Sequence, residues 1–134
     1  VYKRQHPYTI QLNGYYHLTT EGDGGYEFGD QLGLDVMTRY QAGKYINLGL
    51  DLNMIHSRQD EDHKGNYSRP TMSMIDNPAN TGLTSISLTP GIQYKIANTG
   101  GSMELKYQHP IYQDVRGYQQ VLDSRWLATL AWVW

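Results

Sequence analysis

Ile46-Asn47-Leu48-Gly49-Leu50-Asp51-Leu52-Asn53-Met54 alternates apolar and polar residues without a break. Successive side chains of a strand point to opposite faces, so this stretch has one face of Ile, Leu and Met and another of Asn, Gly and Asp. The same period of two recurs on both sides of it. Upstream, Leu32, Leu34, Val36, Thr38 and Tyr40 alternate with Gln31, Gly33, Asp35, Met37 and Arg39. Further upstream, Tyr8, Ile10, Leu12, Gly14, Tyr16 and Leu18 alternate with Thr9, Gln11, Asn13, Tyr15, His17 and Thr19. Downstream, Ile86, Leu88, Pro90, Ile92, Tyr94 and Ile96 alternate with Ser85, Ser87, Thr89, Gly91, Gln93 and Lys95. Met103, Leu105 and Tyr107 form a fifth stripe, and Trp126, Ala128, Leu130, Trp132 and Trp134 a sixth. Six strands are predicted, and no helical period competes.

The connections differ in length in a regular way. Gln41-Ala42-Gly43-Lys44 and Asn98-Thr99-Gly100-Gly101 read as tight hairpin turns, rich in residues that accept positive φ. A polar stretch from about Ser57 to Gly82 is far longer than an ordinary hairpin loop, and Gln113 to Asp123 is a second long connection. Glu21-Gly22-Asp23-Gly24-Gly25 is intermediate. Long and short connections therefore alternate, as in outer-membrane barrels with short periplasmic turns and longer extracellular loops. Placing Trp134 at the periplasmic end puts both tight turns on that side. Pro90-Gly91 interrupts a strand pattern and predicts a bulge or kink there. Pro70 and Pro78 bracket an apolar insert, 71–77, that either folds into the lumen or touches lipid headgroups.

Composition narrows the class. The chain has 134 residues, a length suited to one domain. Its 11 Lys and Arg nearly balance 13 Asp and Glu, so no basic excess marks a nucleic-acid surface. With no cysteine, disulfide scaffolds, thiolate metal sites and cysteine nucleophiles are excluded. No apolar run is long enough for a membrane-spanning helix. A mean hydropathy of −0.63 does not argue against a membrane barrel, whose strands alternate. A soluble sandwich or lipocalin-like barrel would turn the apolar face inward and the polar face to water. Against that, the polar face is dominated by Asn, Gln, Ser, Thr and Gly rather than by charges. The apolar stripes also end in Tyr or Trp, as an interfacial girdle requires. The expected fold is all-β, an antiparallel up-and-down transmembrane β-barrel with six visible strands. Tyr8, Tyr40, Tyr94, Tyr107, Trp126, Trp132 and Trp134 are its expected membrane-interface aromatics.

The stripe Trp126, Ala128, Leu130, Trp132 and Trp134 resembles the C-terminal strand of Gram-negative outer-membrane β-barrels. There a terminal aromatic, usually Phe, helps the assembly machinery recognise the chain. Residues 83–134 resemble more narrowly the end of the putative phenol-degradation-pathway family of transporter-like barrels. Leu88-Thr89-Pro90-Gly91-Ile92-Gln93-Tyr94 and His109-Pro110-Ile111-Tyr112-Gln113-Asp114-Val115-Arg116-Gly117-Tyr118-Gln119 carry that likeness. Arg116 stands where the family usually has Asn. The resemblance implies a bacterial outer-membrane location, contact with membrane lipid and passage of small, often hydrophobic molecules. Val1-Tyr2-Lys3-Arg4-Gln5 is also what GTG TAT AAG AGA CAG encodes, the end of a transposon adapter used in sequencing libraries. Residues 1–5 are therefore read as a sequencing artefact, and 6–134 as the C-terminal part of a single barrel domain truncated at its N-terminus. Six strands enclose too little space for the usual closed form, which begins at about eight. An open or oddly closed sheet, with an edge that the full-length protein would pair, is therefore expected.

The polar face carries Asp35, Arg39, Asp51, Lys95, Glu104, Lys106 and Arg125, mixing both signs on neighbouring strands. Such charges are expensive in hydrocarbon, so they are expected to line the lumen. They form either a selectivity lining for a passing solute or an ion-pair network that fills a narrow interior. Passive transport of a small solute is the expected function. A structural or adhesive barrel with a filled lumen is the alternative. His56, Asp60, Asp62 and His63 are the densest group of possible metal ligands, although their spacing matches no known motif and a solvated loop explains them equally well. A lipid-acting rim enzyme would need a nucleophile and a base, for which His17 and Ser85 are the candidates. Catalysis is not expected, nor is any cofactor.

Overall fold

The computed structural model describes residues 7–66, 77–97, 100–117 and 119–132. Its strands are β1 (Tyr8–His17), β2 (Tyr26–Glu27), β3 (Gln31–Gln41), β4 (Ile46–Ser57), β5 (Glu61–Asp62), β6 (Leu83–Lys95), β7 (Gly101–Val115) and β8 (Arg125–Trp132). Six of them make one antiparallel sheet in the order β1-β3-β4-β6-β7-β8, each long strand pairing with the next long strand in the chain. The six segments of alternating sequence are these six strands. β1 and β8 are the two edges, and no pairing closes the sheet into a barrel among the described residues. Trp134, residues 1–5 and most of the apolar insert lie outside the described residues.

Register turns the alternation into two opposed faces. Leu12 lies opposite Val36, Val36 opposite Leu52 and Leu52 opposite Leu88, so one row of apolar side chains crosses four strands. The neighbouring row runs Gln11, Met37, Asp51 and Thr89 on the other face. Burial is then inverted relative to a protein folded in water. No hydrophobic side chain is buried among the described residues, whereas Asp51, Ser85, Ser87 and Thr89 are. Leu12 is 72% exposed and Leu130 70%. Within the apolar rows of β3 the Thr38 hydroxyl donates to the Leu50 carbonyl at 2.6 Å, which satisfies it without water.

Two local expectations are refined. Pro90 stays paired with Leu50 of β4, but on the other side Thr89 and Pro90 drop out of the ladder to β7 between Leu88↔His109 and Gly91↔Lys106; the register shift itself is elsewhere. It lies between Ile86 and Ser87 on β6, opposite Tyr112 and Pro110 on β7, where Ile111 is the extra residue. Pro110 has no N–H to give a ladder, so the irregularity sits beside it at little cost. The fifth strand is also longer than its apolar stripe, running from Gly101 to Val115.

The two ends of the sheet differ. At one end β3 joins β4, and β6 joins β7, through short turns; Ala42 and Gly43 both donate to the Ile46 carbonyl. At the other end the long connections meet each other. Tyr26 pairs with Asp62 and Glu27 with Glu61, so β2 and β5 form a small second sheet from two different loops. A 3-10 turn at Pro78–Asn80, capped by the Asn77 side chain, follows in the longer loop.

Candidate functional site

The central part of the polar face is built around a row of two cations separated by two glycines. Arg39 lies opposite Gly49, Gly49 opposite Gly91 and Gly91 opposite Lys106. A Cβ on Gly49 would sit 2.8 Å from the Arg39 guanidinium, and one on Gly91 would sit 2.8 Å from the Lys106 chain. Glycine at both positions therefore lets the two long side chains fold flat across the sheet toward each other. Asp51 occupies the next row on one side, and Glu104, opposite Gln93, the next row on the other.

The result is a four-residue ion network. Asp51 accepts from both guanidinium nitrogens of Arg39, with the Nη2 contact at 3.2 Å, and lies 3.3 Å from Lys106 Nζ. Glu104 lies 3.3 Å from Lys106 Nζ and 3.8 Å from Arg39 Nη2. β3 and β7 are three strand spacings apart, roughly 14 Å on a flat sheet, so these side chains span the face rather than pair locally. The Asp51 side chain is 6% exposed, which removes most of its hydration and leaves the two cations as its solvation. Around the network, neutral polar groups bond to one another. Asn53 donates to Asp35 at 2.7 Å, Thr89 donates to Asn53 at 3.3 Å, and Asn47 donates to Gln93 at 2.8 Å.

Of the seven charged residues expected on this face, the structure brings Arg39, Asp51, Glu104 and Lys106 together. Asp35 is beside them but bonded to Asn53. Arg125 donates to Gln108 near the start of β8, and Lys95 is exposed at the end of β6. The neutral fabric of Asn47, Asn53, Thr89 and Gln93 was not singled out by sequence. Its signal was present in the runs of Asn, Gln and Thr at alternate positions.

On the apolar face, Tyr8 stacks on Tyr40 near the strand ends with ring centroids 4.7 Å apart, whereas Tyr107, midway along β7, meets Trp126 near the start of β8 at 4.8 Å. Tyr94 and Trp132 are half exposed toward the short-turn end. Tyr16 and Tyr112, 60% and 51% exposed toward the loop end, belong with them although the sequence reading left them out.

The possible metal ligands do not converge. His56 Nδ1 is 2.8 Å from the Thr84 hydroxyl. Asp60 accepts from the Tyr26 hydroxyl at 2.5 Å and from the Gly29 N–H at 2.7 Å. Asp62 accepts from the Asn66 N–H, and His63 Nε2 lies 3.1 Å from Glu27 and 3.7 Å from Glu61. Among the described residues no three such groups form a metal set. The Glu27 carboxylate, helped by Glu21 and Glu61, holds the His63 imidazole protonated above its usual range. At the β3 entrance Asp30 accepts from the Tyr16 hydroxyl at 2.7 Å and from the Thr19 N–H at 3.0 Å, which holds its carboxyl below the usual range. The candidate rim pair also stays apart. Among the described residues Ser85 Oγ is buried with no hydrogen-bond partner, so His17 is not bonded to it.

Comparison with protein-family models, with curated proteins and with solved structures found no match for the chain.

Proposed function

We propose that the chain is part of an outer-membrane β-barrel whose polar face lines a passage for small solutes. The observation that carries this reading is the inverted burial, with Asp51 and Thr89 at 5% and 4% exposure and Leu12 and Leu130 at 72% and 70%. In water, an apolar face across six strands would far exceed the few hundred Å² that soluble monomers usually leave exposed. In a bilayer the same face is solvated by lipid, and the buried charges point away from it. Strands β1, β3, β4, β6 and β7 have 10 to 15 residues, where a membrane strand needs about 9–11. The stacked and half-exposed aromatics near the strand ends fit the two water interfaces. Edges β1 and β8 each have one neighbour among the described residues, which leaves both open to pairing with further strands before a barrel closes.

The ion network favours a second reading on one point. Four charges that neutralise one another also serve to fill an interior, as in a structural or adhesive barrel. Two measurements separate the possibilities. Trp126 and Trp132 fluorescence is quenched by brominated lipid in either membrane reading and is not quenched if the apolar face packs inside a soluble protein. Single-channel recording in planar bilayers gives conducting steps for the passage and none for the filled barrel.

A further inference from the structure

A cavity of about 500 Å³ lies at the loop end of the sheet, where the last residues of β4 meet β5 and the connection after β7. Two arginines line it, Arg58 from the loop after β4 and Arg116 from the end of β7. Both are under-used. Among the described residues the Arg116 guanidinium donates only to the Gln59 side-chain oxygen, at 3.4 Å, and meets no carboxylate. Arg58, with its side chain 65% exposed, has one distant carboxylate, Asp30 at 3.8 Å.

The two acidic residues lining the same cavity form no ion pair with them among the described residues. Asp60 spends one oxygen on the Tyr26 hydroxyl and the other on the Gly29 N–H. Glu61 lies toward His63, 3.7 Å away. The cavity's other polar groups are held in place locally. His56 is bonded to Thr84, the Ser57 hydroxyl donates to the Arg58 carbonyl, and the Asp60 N–H donates to Thr81. Two guanidinium forks therefore bring unfilled donor capacity to this end, beside the carboxylates of Asp60 and Glu61. A guanidinium matches the geometry of a carboxylate or phosphate with paired N–H groups, and two of them facing one space bind such a group more tightly than either alone.

The wall that holds them is fixed rather than loose. Arg58 N–H donates to the Asp30 carbonyl, and Arg116 N–H donates to the Gly82 carbonyl, which also accepts from the Gln119 side chain. Backbone pinning on both sides means that ligand binding orders only the side-chain ends.

We propose that this cavity is an oxyanion site in which Arg58 and Arg116 together bind a carboxylate or phosphate group. The ligand is a small organic acid, a phosphate ester or the phosphate of a lipid headgroup. The site stands on the loop geometry and does not depend on the polar face conducting, so its test is separate from channel recording.

The test is calorimetric titration of the folded chain in neutral detergent with inorganic phosphate and with benzoate. Flotation with vesicles of phosphatidylcholine, with and without phosphatidylglycerol, forms a second arm. Saturable binding of either small anion, weakened about tenfold by Arg58→Gln and by Arg116→Gln and unchanged by Lys44→Gln in a short turn, supports the site. Binding that appears only on phosphatidylglycerol vesicles, with the same dependence on the two arginines, assigns the oxyanion to a lipid headgroup. No saturable binding in either arm, or binding indifferent to both arginine variants, overturns the proposal. The circular-dichroism spectrum of each variant checks that the sheet is retained.

Discussion

Replacing Asp51 by Asn tests whether the ion network behaves as a unit. The substitution keeps size and shape but removes the charge that Arg39 and Lys106 share. Breaking a buried ion pair by deleting one partner costs about 3–5 kcal/mol. Two features of the site reduce that figure. The Arg39 and Lys106 side chains are 30% and 21% exposed, so water recovers part of their solvation. Glu104 also remains within 3.3 Å of Lys106 and 3.8 Å of Arg39. A net loss of about 2 kcal/mol is expected. With a urea slope of about 2 kcal/mol per molar for a chain of this size, the unfolding midpoint falls by about 1 M. Asp35→Asn is the internal comparison, since Asp35 accepts a side-chain hydrogen bond from neutral Asn53 and has no ion pair among the described residues. Its cost is expected below about 1 kcal/mol. Adding Lys106→Gln to Asp51→Asn should recover part of the loss, because with Asp51 neutral two cations share the single carboxylate of Glu104 and the second change removes the excess one. Urea titration of the chain folded in lipid vesicles, followed by tryptophan fluorescence, measures the parent chain, these three variants and Lys106→Gln alone, five proteins in all. Equal midpoints for Asp51→Asn and Asp35→Asn, or strictly additive losses in the double variant, would refute the network.

Leu52→Arg, on the apolar face, should destabilise the vesicle-embedded chain by about 2–4 kcal/mol, while Gln11→Arg on the polar face of β1 should cost little; equal urea midpoints would sink the assignment of faces. His63 gains its raised pKa from Glu27, so its contribution to the β2–β5 contact is complete below pH 6.5 and is lost as pH rises through the higher folded value. An NMR titration should place the His63 transition above 6.5 and show it falling in Glu27→Gln; no change in that variant would remove Glu27 as the cause. Asp60→Ala strips the acceptor from the Tyr26 hydroxyl and the Gly29 N–H, so amide exchange at Gly29 should speed by about tenfold or more while β3 and β4 amides stay protected.

Facing was legible in the sequence, because a strict period of two leaves little choice once strands are assumed. Partnership was not. Arg39 and Glu104 are 65 positions apart in the sequence and on non-adjacent strands, and only the register puts Asp51 and Lys106 between them. The glycines could have hinted at it, since Gly49 and Gly91 stand at polar-face positions of strands that otherwise carry polar side chains there. The bulge was readable as well. Tyr107 and Tyr112 both lie on the apolar face, and an odd separation between two residues on one face demands an extra residue between them. Pro90 drew attention instead, as a proline in a strand does. The β2–β5 pair, two residues on each side, is too short to leave any periodic signal, and its pairing depends on loops that meet only after the large sheet forms.

The two sets of cations differ in how far they are neutralised, and that difference follows from where each sits. Arg39 and Lys106 stand between Asp51 and Glu104 on rigid strands, where an unpaired charge is costly and each carboxylate is within reach of both. Arg58 and Arg116 stand at the loop end, where water lowers the cost of a loosely held charge and the fold has no need to pair them. If the polar face lines a passage as proposed, the two loop-end arginines draw an anion in without its being held at the centre, because the inner cations are already occupied. Removing Asp51 abolishes that distinction. It leaves the inner cations with one carboxylate between them, so anions should bind within the face itself and the conductance of Asp51→Asn should turn anion-selective. Conductance of unchanged selectivity in Asp51→Asn would mean that ions do not pass along this face.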